Sequence, residues 1–80
     1  MKVMQIEIIL FGQLTDIAGN NTIVVDDVKD SDELVAAVNK LYPAMVAIKY
    51  IVAVDKKAIQ TKTILGEKTM VALLPAFSGG

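Results

Sequence analysis

Eighty residues make one domain, near the lower size at which a chain folds without a metal or covalent staple. The chain has no cysteine and no histidine, which removes disulfides, thiolate nucleophiles, cysteine metal sites and the commonest general base and metal ligand. A net charge of −1 gives no overall attraction to nucleic acid or to an anionic membrane.

The hydrophobic share is 54%, above the usual ~45–50% even with glycine left out of the count. A domain this small has little interior, so some of those side chains must face solvent, which suggests a partner surface. Residues 1–40 carry three lysines against seven acids and residues 41–80 five lysines against two acids, hinting at two electrostatic faces. No apolar run approaches the ~20 residues of a membrane span. The opening MKVMQIEIILFG sets Glu7 inside its apolar stretch and lacks a small-residue cleavage site, so it does not read as a signal peptide and a cytoplasmic protein is expected.

In chain order, residues 3–11 alternate with period two: Met4, Ile6, Ile8 and Leu10 point one way, Gln5 and Glu7 the other, joined later by Ile9 and Phe11. This predicts a strand that becomes apolar on both faces. Leu14, Ile17 and Ala18 suit a short helical turn, and Gly19-Asn20-Asn21 is a turn signal. Residues 22–28 read as a second strand, antiparallel to the first. Residues 30–41 form the main helix, with Asp30 as N-cap, Glu33 completing a capping box, and Leu34, Val38, Leu41 and Met45 as its apolar stripe. Pro43 ends that helix near Tyr42. A third strand over 50–55 is apolar on both faces, which predicts a central position. Asp55-Lys56-Lys57 is a turn into a short extended piece at 58–60, Gly66-Glu67-Lys68 is another turn, and residues 69–75 are the last strand. Pro75 lacks an N–H, so regular pairing should finish there.

One amphipathic helix across one face of a mixed sheet is the economical way to bury these stripes. The prediction is an α+β protein with a β-grasp, or ubiquitin-like, roll of four to five strands, first and last strands parallel in the middle. The domain is expected over 1–75, with 76–80 a flexible tail.

That tail, Ala76-Phe77-Ser78-Gly79-Gly80, has two readings: a frayed end, or a reactive one. Two terminal glycines make a thin peptide that fits a narrow tunnel and lets backbone approach a phosphate. A terminal carboxylate can be activated as an acyl-adenylate and attacked by sulfur to give a thiocarboxylate. With no cysteine in the chain, the carboxyl carbon of Gly80 is the remaining place for sulfur.

Four stretches carry a resemblance: FGQLTDIAG at 11–19, DELVAAVNKLYP at 32–43, AVDKKAI at 53–59 and VALLPAFSGG at 71–80. Together they resemble the small-subunit family of molybdopterin synthase, ubiquitin-like sulfur carriers, over nearly the whole chain. Members often carry Arg-Glu where this chain has Thr15-Asp16, and Asp-Gly-Asp near its Gly66-Glu67-Lys68. The resemblance implies that Gly80 is adenylated by an ATP-dependent activating enzyme and converted to a thiocarboxylate, with Gly79 giving steric access. The loaded tail then enters the large subunit and donates sulfur to a cyclic pyranopterin phosphate, in a heterotetramer of two small subunits at the ends of a large-subunit dimer. It implies no cofactor bound by this chain, and neither nucleic acid nor membrane as partner.

Phe77, Leu74 and Phe11 are candidates for the apolar docking surface, with Pro75, Ser78 and Lys68 beside them; core packing is an equal reading for Leu74 and Phe11. Lys68, Lys57 and Lys62 suit acidic partner surfaces, although a solvated lysine is the usual case. Asp26, Asp27, Asp30, Asp32 and Glu33 straddle a strand end and a helix N-terminus, where acids meet the macrodipole, and are assigned to structure. Two alternatives stay open: a carrier for another recipient (thiazole, an amino acid or a transfer RNA base), and a docking module with inert glycines.

Overall fold

The structure, a computed structural model, describes residues 5–66 and 68–76. Alternation builds the first strand, β1 (Gln5–Leu10): Ile6, Ile8 and Leu10 are buried while Gln5 and Glu7 are exposed. The expected strand over 3–11 is thus seen from Gln5; residues 1–4 lie outside the described residues, and Phe11 is past the strand's end. A short helix α1 (Gln13–Ala18) follows, packing Leu14 into the core and ending on Gly19, whose φ of 77° is the left-handed cap. Strand β2 (Thr22–Asp26) pairs antiparallel with β1. It stops two residues short of the expected end because Asp27 takes φ 57°, which breaks the pleat, although Val28 is still buried.

Helix α2 (Ser31–Leu41) begins as its sequence dictates, with the Asp30 carboxylate accepting from the Glu33 N–H at 2.9 Å. The expected capping box closes one residue early: the Glu33 carboxylate accepts from the N–H of Lys29 at 2.8 Å. Leu34 and Val38 are fully buried, but Leu41 is 57% exposed, so the stripe is shorter than predicted. The chain turns at Tyr42, Pro43 starts a 3-10 helix (Pro43–Ala47), and its Met45 reaches the core instead. That short helix was not expected from the sequence.

Strand β3 (Tyr50–Val54) ends in a two-residue turn, Asp55 (φ 50°) and Lys56 (φ 72°), that leads into β4 (Lys57–Ala58). The extended piece therefore sits earlier than 58–60, although Ile59 still donates to Val52 at 2.9 Å. Residues 59–65 are irregular but clipped to the start of α2. The Ser31 N–H donates to the Thr63 carbonyl at 2.8 Å, Thr63 donates to the Ser31 hydroxyl at 2.9 Å, and Leu65 donates to Lys29 at 2.9 Å. Strand β5 (Val71–Pro75) starts two residues later than predicted because Thr69 belongs to the preceding turn, its hydroxyl accepting from Gly66 at 2.8 Å.

The strand order is β2-β1-β5-β3-β4, with β1 and β5 parallel at the centre and β3 flanked on both sides. This is an α+β β-grasp fold: a five-stranded mixed sheet with one main helix packed on one face. The core joins Ile6, Ile8 and Leu10 of β1 to Val71 and Leu73 of β5, under Leu34 and Val38 of α2. Tyr50 ties sheet to helix by donating to the Asn39 side chain at 2.9 Å, and partial burial raises its phenol pKa.

Candidate functional site

Residues paired across neighbouring strands share a face. Ile8 is opposite Val71 and Leu10 opposite Leu73, and all four point to the core. The residues between them must point away from the helix. Ile9, Ala72 and Ala53 make one row across the three central strands, and Leu74 and Ile51 make the next. Phe11, at the end of β1, continues the Ile9 side. This outer face is apolar but uncovered: Phe11 is 46%, Ile51 41%, Val24 49% and Met70 51% exposed. Ile9, Phe11, Ala53, Met70 and Ala72 line a shallow hollow of about 190 Å³, with Lys56 at its edge. Lys68 is exposed beside the same face, next to Glu7 and Ile9.

The sequence candidates fall into two groups. Phe11 and Leu74 lie on the outer face, Phe11 exposed and Leu74 half-buried. Pro75 is half-buried at the end of β5. Phe77, Ser78, Gly79 and Gly80 lie outside the described residues. Of the lysines considered, Lys57 is in β4, and the exposed Lys62 approaches the largely buried Asp30 carboxylate at 3.7 Å. Asp30 and Glu33 cap α2 as described, and Asp26 ends β2.

Pairing ends close to Pro75, as its missing N–H requires: Tyr50 opposite Pro75 is the last register pair between β3 and β5. One further bond holds, from Ala76 N–H to the Lys49 carbonyl at 2.8 Å. Gly12, Ala47, Ile48, Lys49, Pro75 and Ala76 surround a groove at this point. Sequence reasoning missed three contributors. Ile51 belongs to the outer face by its register opposite Leu74, and Met70 by lining the outer hollow. Gly12 touches Pro75 so closely that a Cβ on it would lie 2.8 Å from the proline Cγ.

A β-grasp domain of this size, with an open apolar sheet face, has the architecture of ubiquitin-like proteins. The ThiS family profile matches residues 8–80, and the chain belongs to the ThiS family of small ubiquitin-like sulfur carriers or modifiers. Among curated protein sequences none matches. Among solved structures, small archaeal modifier protein 1 from Methanosarcina acetivorans superposes with a TM-score of 0.80 at 17% identity, covering 100% of both chains. The protein of the same name from Haloferax volcanii gives 0.76 at 24% identity, over 95% of this chain and 99% of that one. A Pyrococcus furiosus protein provisionally named molybdopterin converting factor, subunit 1, gives 0.81 at 11% identity, over 92% of this chain and 99% of that one. At these identities the likeness speaks for the fold. No helix among the described residues is long and apolar enough to cross a membrane.

Proposed function

We propose that this protein is the sulfur-carrier subunit of a molybdopterin synthase, with Gly80 as the group that carries sulfur. The observation that supports a sulfur carrier is the family match, which runs to the last residue and so includes Gly79-Gly80; the molybdopterin recipient is what the sequence resemblance adds. The open outer face supports it, because a carrier must be held by successive partners while its terminus reacts elsewhere. In the first step the Gly80 carboxylate attacks the α-phosphorus of ATP on an activating enzyme, and pyrophosphate leaves. Hydrosulfide then attacks the acyl carbon and AMP leaves, giving a thiocarboxylate. In the large subunit the sulfur is transferred to a cyclic pyranopterin monophosphate, and water restores the carboxylate. Two such rounds supply the dithiolene. The chain itself binds no cofactor in this scheme; ATP belongs to the activating enzyme. A cytoplasmic setting and a heterotetramer with the large subunit go with this reading.

Reconstitution separates the recipients. Thiocarboxylated protein mixed with large subunit and pyranopterin precursor should yield the dithiolene product and return the carboxylate form. Sulfur transfer to a thiazole precursor instead would move the protein to another branch of the carriers. Deleting Gly79-Gly80 should abolish transfer while leaving binding to the large subunit; retained function would make it a docking module. A second reading rests on the modifier name of two structural neighbours: the same activated carboxyl, attacked by a lysine amine, would form an isopeptide bond. Incubation with cell extract and ATP would then give conjugates of higher mass.

A further inference from the structure

We propose that Gly12 is a positioning residue for the carboxyl-terminal chemistry, acting through Pro75 to fix the end of β5 at Pro75 and Ala76, the last described residues before the terminal glycines. This rests on the carrier reading above. Strand β5 loses its two neighbours at different places. On the β1 side the last bond runs from Phe11 N–H to the Leu73 carbonyl at 3.2 Å. Peptide groups alternate in direction along a strand, so Pro75, two residues on, faces the same side. It has no N–H to offer, and the Phe11 carbonyl is already taken by Leu14 N–H at 3.2 Å. On the β3 side the Ala76–Lys49 bond still holds. The end of β5 is therefore secured by a hydrogen bond on one flank and by the Gly12–Pro75 contact on the other.

That contact leaves no room for adjustment. A Cβ on Gly12 would meet Pro75 Cγ at 2.8 Å and Cδ at 3.4 Å. Gly12 has φ 58° and ψ −134°, a conformation essentially confined to glycine. Its carbonyl accepts from both the N–H of Thr15, at 3.1 Å, and the Thr15 hydroxyl, at 2.7 Å, so it is held from the α1 side. Phe11 and Leu74, the residues just before Gly12 and Pro75, belong to the outer face. The outer face and the described end of β5 are thus joined through one van der Waals contact. Acyl transfer in another protein's active site demands placement to within ~1 Å, and an error of that size costs up to ~100-fold in rate.

Gly19 provides the control, since it too has positive φ (77°), but a Cβ there meets nothing within 4 Å. The test compares Gly12→Ala, Gly19→Ala, Pro75→Ala and the Gly12→Ala/Pro75→Ala double variant. It reads ATP–pyrophosphate exchange with the activating enzyme and, with no enzyme present, hydrogen exchange at the Ala76 amide. Gly12→Ala should lower kcat about tenfold or more with KM changed by less than about threefold, and should speed Ala76 exchange by about tenfold. Gly19→Ala should lose stability and change neither. The double variant should be no worse than Pro75→Ala alone, because the two residues act through one contact. Additive losses, a kcat loss in Gly19→Ala equal to that of Gly12→Ala, or wild-type kcat and exchange in Gly12→Ala would each overturn the proposal. Should Gly12→Ala fail to fold, Pro75→Ala decides alone: Ala76 exchange and kcat at wild-type values would sink the idea. Failure of the wild-type protein to be adenylated would instead remove the carrier reading.

Discussion

The two faces of the sheet are built from the same strands and nearly the same residue types, yet only one is covered. On the helix side Ile6, Ile8, Leu73 and Val71 are at most 1% exposed. On the other side Phe11, Ile51 and Met70 stand in solvent at 41–51%. An antiparallel or mixed sheet with one solvated face ordinarily alternates apolar with polar, and here the alternation lapses in β1, β3 and β5. Gln5 and Glu7 at the start of β1 show what an ordinary outer face looks like. The difference teaches where the apolar surplus of the composition goes. Stability is lodged on the inner face, and the outer face is the surface that the proposed function gives to a partner.

That division can be broken by substitution. Leu73→Ala on the inner face should cost about 2–5 kcal/mol, enough to unfold much of so small a domain, as urea denaturation would show. Ile51→Ala on the outer face should change stability by less than about 1 kcal/mol, yet weaken binding to the large subunit by about tenfold or more in calorimetry. Equal stability losses on both faces would erase the distinction. Between these lies Asp30→Ala, which removes the N-cap of the helix covering the inner face. It should cost about 1 kcal/mol by thermal melting and leave binding intact.

Tyr50 gives a pH-dependent version of the same contrast. Its folded pKa is raised by burial, so the neutral phenol is favoured in the native state. The associated stability is fully present below the ordinary tyrosine pKa and is lost as pH rises through the folded value. Wild-type protein should therefore lose more stability in this alkaline range than Tyr50→Phe, while binding through the outer face at neutral pH stays the same in both. The smallest effect is expected at Lys56, in the left-handed region at the edge of the outer hollow. Lys56→Gly should relieve strain and raise stability by about 0.5 kcal/mol, and reduce the salt dependence of docking if an acidic partner surface faces it.

Much of the fold was legible because short-range rules and tertiary packing agreed. Period-two alternation in β1 and the Asp30 cap of α2 located those elements, and the β-grasp order followed from one helix among several strands. The errors lie where tertiary contacts overrule pattern. Leu41 sits on the apolar stripe by spacing, but the chain turns at Tyr42 and Met45 occupies the core. Asp27 ends β2 through a positive φ, a conformation that Asp tolerates but that the apolar alternation continuing to Val28 hides. In the candidate site alternation put Phe11 on the side of Gln5 and Glu7, but that Leu74 shares this face was not readable, because it depends on the register of β5 against its neighbours. Gly12 was invisible as a contact, since its partner Pro75 is distant in the chain.

The central claim is that Gly80 becomes a thiocarboxylate. Intact-mass spectrometry of the purified protein, after incubation with its activating enzyme, ATP and a sulfide source, tests it most directly. The account predicts a gain equal to the exchange of one oxygen for one sulfur, located by fragmentation at Gly80 and absent without ATP. An unchanged mass with an active activating enzyme, or a gain mapping to any other residue, would contradict it.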